Sequence, residues 1–260
     1  MSHPCVETQA SGHLLTVRIN RPEARNALNR ETIRQLAAIF SATYDTNSPR
    51  CVLLTGAGTE AFCAGADLSE LESIPSPEDR REFFRAVANL IASITACPIP
   101  VVAAVHGFAL AGGCGLVAAC DIAIAADDAI FGLPEVAIGL APMVVLAPLR
   151  QRVSPSVLRL MALRGERISA ERALHAGLVT QVVQKSQLEL AIKTLCDGII
   201  SQGPQAVRAT KRALRDIQGA NLYEQMLDLA DQSALVSMGD EAVEGIAAFR
   251  EKRPPSWKAT

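Results

Sequence analysis

Residues 98–139 read PIPVVAAVHGFALAGGCGLVAACDIAIAADDAIFGLPEVAIG, and the rest of the chain is arranged about them. Residues 98–120 contain no Asp, Glu, Lys or Arg. The run closes on Gly112, Gly113 and Gly115, and a second apolar run follows at 121–126. An uncharged stretch of this length is long enough to span a bilayer. Two prolines, His106, four glycines and a preference for Ala over Leu argue against that here. A buried parallel strand over 101–105, followed by a tight glycine turn, explains the same residues better. Farther on, Glu135 stands between Pro134 and Val136 in apolar surroundings. Backbone bared by glycine beside a lone carboxylate is what proton chemistry next to a carbonyl requires.

The second half of such a site is sought in GAGTEAFCAGADLSEL, residues 56–71. Gly56, Gly58 and Gly65 predict an irregular segment until about Asp67, where a short helix begins. Small side chains at Ala64, Gly65 and Ala66 let a ligand approach the backbone, and N–H groups at a helix start are free to donate to an oxyanion. An ordinary glycine-rich connection accounts for the same residues. Residues 113–118, GCGLVA, match the dinucleotide pattern G-x-G-x-x-A. That fold needs a helix of several turns after the glycines, and the next strand begins too soon for one.

A chain of 260 residues with 49% hydrophobic and 20% charged residues predicts one large core with an appendage. We place the core at residues 1–200 and a helical appendage at 201–260. A formal charge of −2 gives no electrostatic reason to bind nucleic acid or an anionic membrane. Seven cysteines with no C-x-x-C spacing and only four histidines predict reduced thiols, no structural zinc site and a cytoplasmic location. The first ten residues carry no signal-peptide pattern.

Alternation at Leu15, Val17 and Ile19 predicts a half-buried strand, and Asn29 is placed to cap a helix to about residue 43. A short buried strand is expected over 51–55. Ser76-Pro77-Glu78-Asp79 is a strong helix start, with Phe83, Phe84, Val87, Leu90, Ile91 and Ile94 on the buried face. In the last third, Ser169 caps a short helix ended by Gly177, and residues 178–183 read as a strand. Helices are expected from Ser186, Pro204, Asn221 and Asp240. Lys211, Arg212 and Arg215 are expected on the outer face of the Pro204 helix. Asp121, at a buried strand start, is expected to be paired structurally, and His106 to hydrogen-bond in the core.

These pieces, in this order, resemble the enoyl-CoA hydratase/isomerase (crotonase) superfamily. The resemblance is carried by Arg21-Pro22 with Asn26-Ala27-Leu28, by residues 61–68, and by His106-Gly107 through Gly113. It continues through residues 121–125, Phe131-Gly132-Leu133-Pro134-Glu135, Gly139-Leu140, residues 168–179 and AFREKR at 248–253. It implies an α/β fold, a crotonase-like spiral of ββα units with a C-terminal helical trimerisation region. The implied assembly is a homotrimer or homohexamer. The implied substrate is an acyl-CoA thioester, with coenzyme A as part of the substrate and no separate cofactor or metal. Matched residue by residue, the N–H groups of Ala66 and Gly112 receive the thioester oxygen. Ala64, Asp67 and Leu68 lie closest to the coenzyme A arm. Arg25 fits either a CoA phosphate or a solvated surface charge. Phe249 and Lys252 fit either a neighbouring subunit's CoA or an ordinary helix end.

Proton removal beside a thioester, or addition of water to its α,β double bond, puts negative charge on the carbonyl oxygen. Two fixed N–H donors stabilise it, and losing one such donor costs about 3–4 kcal/mol of barrier. The family's hydratases commonly carry two glutamates. Here the later one matches Glu135, and the earlier position is Gly115. Glu135 serves either as acid/base, aided by apolar neighbours, or as a salt-bridged structural acid. One carboxylate suffices for a 1,3-proton shift, and through a bound water it also serves hydration. The run around Gly115 resembles bacterial hydratases of branched glutaconyl-type esters, which tilts the reading to a hydratase, with an isomerase second. A substrate carboxylate standing in for the missing acid is a further expectation. A catalytically idle acyl-CoA-binding protein is the other function class that Gly115 leaves open. Cys63 and Cys114 flank the site without an evident base and are read as packing residues. Residues 68–90 and 141–149 are expected to line the acyl pocket.

Overall fold

A computed structural model describes residues 4–44 and 49–216, with Asp240, Glu244, Ala248 and residues 251–256. Its strands are β1 (Val6–Ser11), β2 (Leu14–Ile19), β3 (Cys51–Gly56), β4 (Ala61–Cys63) and β5 (Val101–Val105), then β6 (Phe108–Leu110), β7 (Ile122–Ala126), β8 (Ile130–Gly132), β9 (Arg167–Ser169) and β10 (Gln181–Val183). Its helices are α1 (Arg30–Phe40), α2 (Leu68–Ser73), α3 (Pro77–Ala96), α4 (Gly112–Ala119) and α5 (Met143–Arg152), then α6 (Pro155–Arg164), α7 (Ala170–Ala176), α8 (Leu188–Ile200) and α9 (Pro204–Asp216).

The strands come in pairs that divide between two sheets. One sheet has the order β1-β2-β3-β5-β7-β10, and the other β4-β6-β8-β9. So β3-β4, β5-β6 and β7-β8 each leave one strand in the large sheet and one in the small sheet before the chain turns to helix. This is the expected spiral of ββα units. Pairing is parallel from β2 to β10 and from β4 to β8, with antiparallel edges at β1 and β9.

Both faces of the large sheet are covered, which explains why β5 carries no polar residue. Val101, Ala103 and Val105 enter the main core with Leu90, Ile94, Leu116 and Phe131. Val102 and Ala104 point the other way and pack with Cys51 and Ile124 against Ile192 and Cys196 of α8. The apolar run at 98–120 is thus divided among β5, β6 and α4. Among the described residues no helix is long and apolar enough to cross a membrane.

The expected caps of α1, α3 and α7 are present. Asn29 Oδ1 accepts from Thr32 N–H, Ser76 Oγ from Asp79 N–H, and Ser169 Oγ from Arg172 N–H. Four expectations need correction. Strand β1 was not anticipated, because only Val6 of its six residues is buried and no periodicity marks it. Strand β4 forms inside the glycine-rich segment, its three residues wholly buried. The strand expected over 178–183 shrinks to Gln181–Val183. Helix α8 starts at Leu188 after a 3-10 turn (Lys185–Gln187), so Ser186 is not its cap. The helices expected from Asn221 and Asp240 lie largely outside the described residues.

Phe84, expected on the buried face of α3, is exposed and lines an open cavity, because it sits one position off the stripe of Phe83, Val87 and Leu90. Lys211 is a further correction. It is buried on α9, where its Nζ donates to Ile99 O at 2.9 Å and to Asp121 Oδ2 at 2.7 Å. The same Asp121 oxygen accepts from Val101 N–H at 2.7 Å. The long aliphatic stem lets a lysine on a helix flank reach a strand start, which residue type alone does not reveal. The expected structural pairing of Asp121 is present, and it ties the start of the 201–260 region to the core. Breaking a buried pair costs about 3–5 kcal/mol, and the partial exposure of Asp121 reduces this. Lys211→Ala should lower unfolding stability by about 2 kcal/mol, measured by chemical denaturation. A change within a few tenths would show that the pair contributes little.

Candidate active site

The carbonyl end of the spiral holds an open cavity of about 1290 Å³. Ala66, Gly112 and Glu135 all line it. So do Arg25, Ala64, Asp67 and Leu68, and from the expected acyl-pocket segments Leu71, Val87, Ala88 and residues 141–145. The sequence-predicted residues are therefore brought together, with two exceptions. Phe249 lies outside the described residues. Lys252 is exposed, in a left-handed conformation with φ 52°, and does not line the cavity.

Two chain segments meet at its floor. Gly65 has φ +99°, and a Cβ added there would lie 2.6 Å from Ala111 Cβ and 3.3 Å from Gly112 N. Only glycine allows both that backbone angle and that approach. On the other side Ala111 itself has φ 51° and ψ −118°, a strained conformation for a residue with a Cβ. It starts α4 and leaves the N–H of Gly112 at the first helical position, where no intrahelical acceptor exists. Leu28 pairs alongside Ala66 by donating to Gly65 O at 2.7 Å and accepting from Asp67 N–H at 3.0 Å. That pattern skips the N–H of Ala66. Among the described residues, neither Ala66 nor Gly112 has an acceptor for its N–H.

The scaffold around these donors is polar and well satisfied. Asn26 is fully buried: its Oδ1 accepts from Arg21 N–H at 2.9 Å, and its Nδ2 donates to Ala57 O at 2.9 Å and Ala61 O at 2.7 Å. Arg21 donates to Ala27 O and forms an ion pair with Asp67 at 2.8 Å. Asp67 also caps α2, accepting from Ser69 and Glu70 N–H. Burial alone would raise its pKa, but Arg21 and these N–H groups together bring it below the ordinary value. The side chain of Asp67 is thus committed to structure. Arg25 is exposed and pairs with Glu60 at 3.1 Å. Sequence reasoning used Asn26 only as part of a motif. Its role as the hub of two loops had no local signal, because its partners lie 5, 31 and 35 residues away.

Glu135 sits in a 3-10 turn (Pro134–Ile138) directly after β8, and its carbonyl accepts from Leu140 N–H at 3.0 Å. Its Oε2 is buried with no partner, and no salt bridge holds it. The structural salt-bridge reading therefore fails among the described residues. Burial raises its pKa above the usual carboxylate value, and its own backbone N–H opposes this. The thiols of Cys63 and Cys114 are buried and pushed up to about 12 by burial, so neither is a nucleophile near neutral pH. Cys114 instead donates to Ala109 O at 2.9 Å. His106 is held neutral by burial, with the Lys185 charge adding to the effect. Its Nε2 has no partner, so the expected core hydrogen bonding is incomplete, and the ring does not line the cavity.

Gly115 is packed, not vacant. A Cβ there would lie 2.6 Å from Val145 Cγ1 and 3.1 Å from Ile91 Cδ1. Side chains of Val145 and Ile91 already occupy the space into which a side chain at this position would project.

Comparison with known proteins adds the family. The model of the enoyl-CoA hydratase/isomerase family matches residues 9–260. The chain belongs to that family. It is 34% identical over 254 residues to a crotonyl-CoA hydratase of Syntrophomonas wolfei, covering 97% of each chain. It is 36% identical over 264 residues to a 2,3-dehydroadipyl-CoA hydratase of Escherichia coli, covering 99% of each. Among solved structures, an enoyl-CoA hydratase of Mycobacterium smegmatis superposes with a TM-score of 0.94 at 33% identity, covering 98% of this chain and 99% of that one. The crotonase-like spiral that the resemblance implied is thus the fold of this family member.

Two outcomes test the site's packing and electrostatics. A carboxyl group whose folded-state pKa lies above its unfolded value holds its proton more tightly when folded, so ionising it costs stability above that range. Glu135→Gln removes the cost and should raise the melting temperature at pH 7, with the gain shrinking as pH falls toward 4.5. An unchanged or lower melting temperature at pH 7 would mean an overlooked partner for the carboxylate. Gly115→Ala should destabilise by about 1–3 kcal/mol through overpacking. Adding Val145→Ala should cost less than the sum of the two single changes, and simple additivity would place Val145 elsewhere.

Proposed function

We propose that the protein is an enoyl-CoA hydratase, adding water across the α,β double bond of an acyl-CoA thioester with Glu135 as the single acid/base. The observation that carries this is one cavity lined by two residues whose main-chain N–H groups have no acceptor among the described residues and by one whose buried carboxylate oxygen has no partner among them. Groups left unpaired inside a fold are costly, and a ligand that pairs them all at once accounts for their persistence.

In this reading the thioester oxygen accepts from Ala66 and Gly112. Glu135, ionised, takes a proton from a water molecule as that water's oxygen bonds to Cβ. The π electrons move onto the thioester as an enolate, whose oxygen is held by the two donors. Glu135 then returns the proton to Cα, so the product gains H and OH and the carboxylate is restored. A raised pKa suits a group that must both accept and give back a proton near neutral pH. Ala64, Leu68 and the backbone at Asp67 would flank the coenzyme A arm. Arg25 would exchange Glu60 for a CoA phosphate. Phe249 and Lys252 would act across a homotrimer or homohexamer interface. Coenzyme A is part of the substrate, and the reaction needs no separate cofactor. A soluble enzyme of the cytoplasm fits the composition.

One carboxylate also serves an isomerase, which moves a double bond with the same proton shuttle. The two readings separate in absorbance at the enoyl-thioester band. With crotonyl-CoA the band should fall as the 3-hydroxyacyl ester forms, and Glu135→Gln should slow this by about 10²–10⁴-fold. A band that rises with but-3-enoyl-CoA and stays constant with crotonyl-CoA would assign the isomerase. Thioester binding with turnover of neither substrate would assign the idle binding protein.

A further inference from the structure

Helix α3 contributes one stripe to the cavity wall: Arg81, Phe84, Arg85 and Ala88, at i, i+3, i+4 and i+7. The same helix continues through Val87, which also lines the cavity, to Ile91, which packs at Gly115. The acyl side of the site is therefore walled by α3, and two exposed arginines, Arg81 and Arg85, belong to the lining near the start of that helix.

Neither arginine has an ion-pair or side-chain hydrogen-bond partner among the described residues. Glu78 and Glu82 lie three residues before them on the same helix, a spacing at which ion pairs form readily. No such pair is made. Some exposed arginines elsewhere pair with carboxylates, as Arg18 does with Glu7, Arg25 with Glu60, Arg30 with Glu70 and Arg34 with Glu31, while Arg150, Arg159 and Arg212 have no such partner among the described residues; Arg81 and Arg85 differ from these three in lining the cavity. Two like charges at i and i+4 repel, and an anion between them removes the repulsion. Four carboxylates line the same cavity: Asp67 is held by Arg21, Glu60 by Arg25, Glu135 is the proposed acid/base, and Glu23 is exposed on the turn after β2 and pairs with neither arginine. The surrounding wall is apolar, with Leu71, Phe84 and Met143.

We infer that Arg81 and Arg85 receive an anionic terminus on the acyl group, so that the preferred substrate is the monothioester of an unsaturated dicarboxylic acid. This deepens the hydratase reading and rests on it for the orientation of the thioester. The spacing supports a carboxylate several carbons from the reacting bond. Arg85 lies six residues before Ile91, about 9 Å along the helix, and helical side chains lean toward the N-terminus. A guanidinium fork pairs with a carboxylate through two parallel hydrogen bonds, which gives direction as well as charge. The shared chemistry, an anion on a guanidinium pair, would also suit a phosphate of coenzyme A, and the experiment separates the two.

The full-length protein is assayed with hex-2-enedioyl-CoA and hex-2-enoyl-CoA, which differ only in a terminal carboxylate against a methyl group. The wild type should favour the enedioyl ester at least tenfold in kcat/KM. Arg81→Gln/Arg85→Gln should reduce that preference at least tenfold, chiefly through KM, with a melting curve to verify folding. Equal kcat/KM for the two esters in the wild type overturns the inference. So does an equal loss with both esters in the double variant, and weaker inhibition by free coenzyme A would then assign the arginines to its phosphates. If neither ester is hydrated, the hydratase reading fails separately, and titration calorimetry decides this one. Arginine-dependent tighter binding of the enedioyl ester upholds the anion site, and equal binding of both esters removes it.

Discussion

The structure depends on one close approach, that of Gly65 to Ala111 and Gly112. These residues belong to successive ββα units, one after β4 and one after β6, so their contact joins two turns of the spiral. It leaves no room for a Cβ at Gly65 and holds Ala111 in a conformation that costs free energy in isolation. The surrounding interactions keep that strain in place. Asn26 fastens the loop before β4, Arg21 and Asp67 fasten the loop after it, and Cys114 ties the first turn of α4 to β6. Two N–H groups are thereby fixed before any ligand arrives, the condition under which such donors act most strongly on a developing charge.

Around this fixed pair the chemistry is sparse. The cavity carries one buried unpaired carboxylate, and the space where a second could stand is filled by Val145 and Ile91. That filling is a hydrophobic contact between α4, α5 and α3, so loss of the second acid and tight packing of the acyl wall are one feature. The remaining charge on that wall is of opposite sign and belongs to α3. The arrangement sets the buried carboxyl group of Glu135 apart from the exposed Arg81 and Arg85, with the apolar residues Val87 and Ala88 of α3 between them on the wall.

Much of this was legible in the chain. Local signals carried through: the caps Asn29, Ser76 and Ser169, the uncharged β5 strand, and the glycines at 65 and 112 each report a constraint that acts over a few residues. Family likeness brought Ala66, Gly112 and Glu135 into one list, and the fold brings them into one cavity. What the chain concealed is long-range. Lys211 reaches Asp121 across 90 residues, and a helical wheel puts it outside. Strand β1 is held by its pairing with β2, not by its side chains. The ion pair of Asp67 with Arg21, 46 residues earlier, is another such contact that no local pattern announces. Arg81 and Arg85 carry no motif; their place on the cavity wall, visible only in three dimensions, sets them apart from other unpaired surface arginines.

Asn26 has a consequence of its own. Its amide nitrogen faces two carbonyl oxygens, at 2.7 and 2.9 Å, and its oxygen faces an N–H. No other side chain of its size offers two donors and an acceptor in that order. Slow hydrolysis of the amide would change a single atom, setting oxygen against oxygen twice over in a dry interior. Such a change would loosen the two loops beneath the cavity from a residue that does not itself line it.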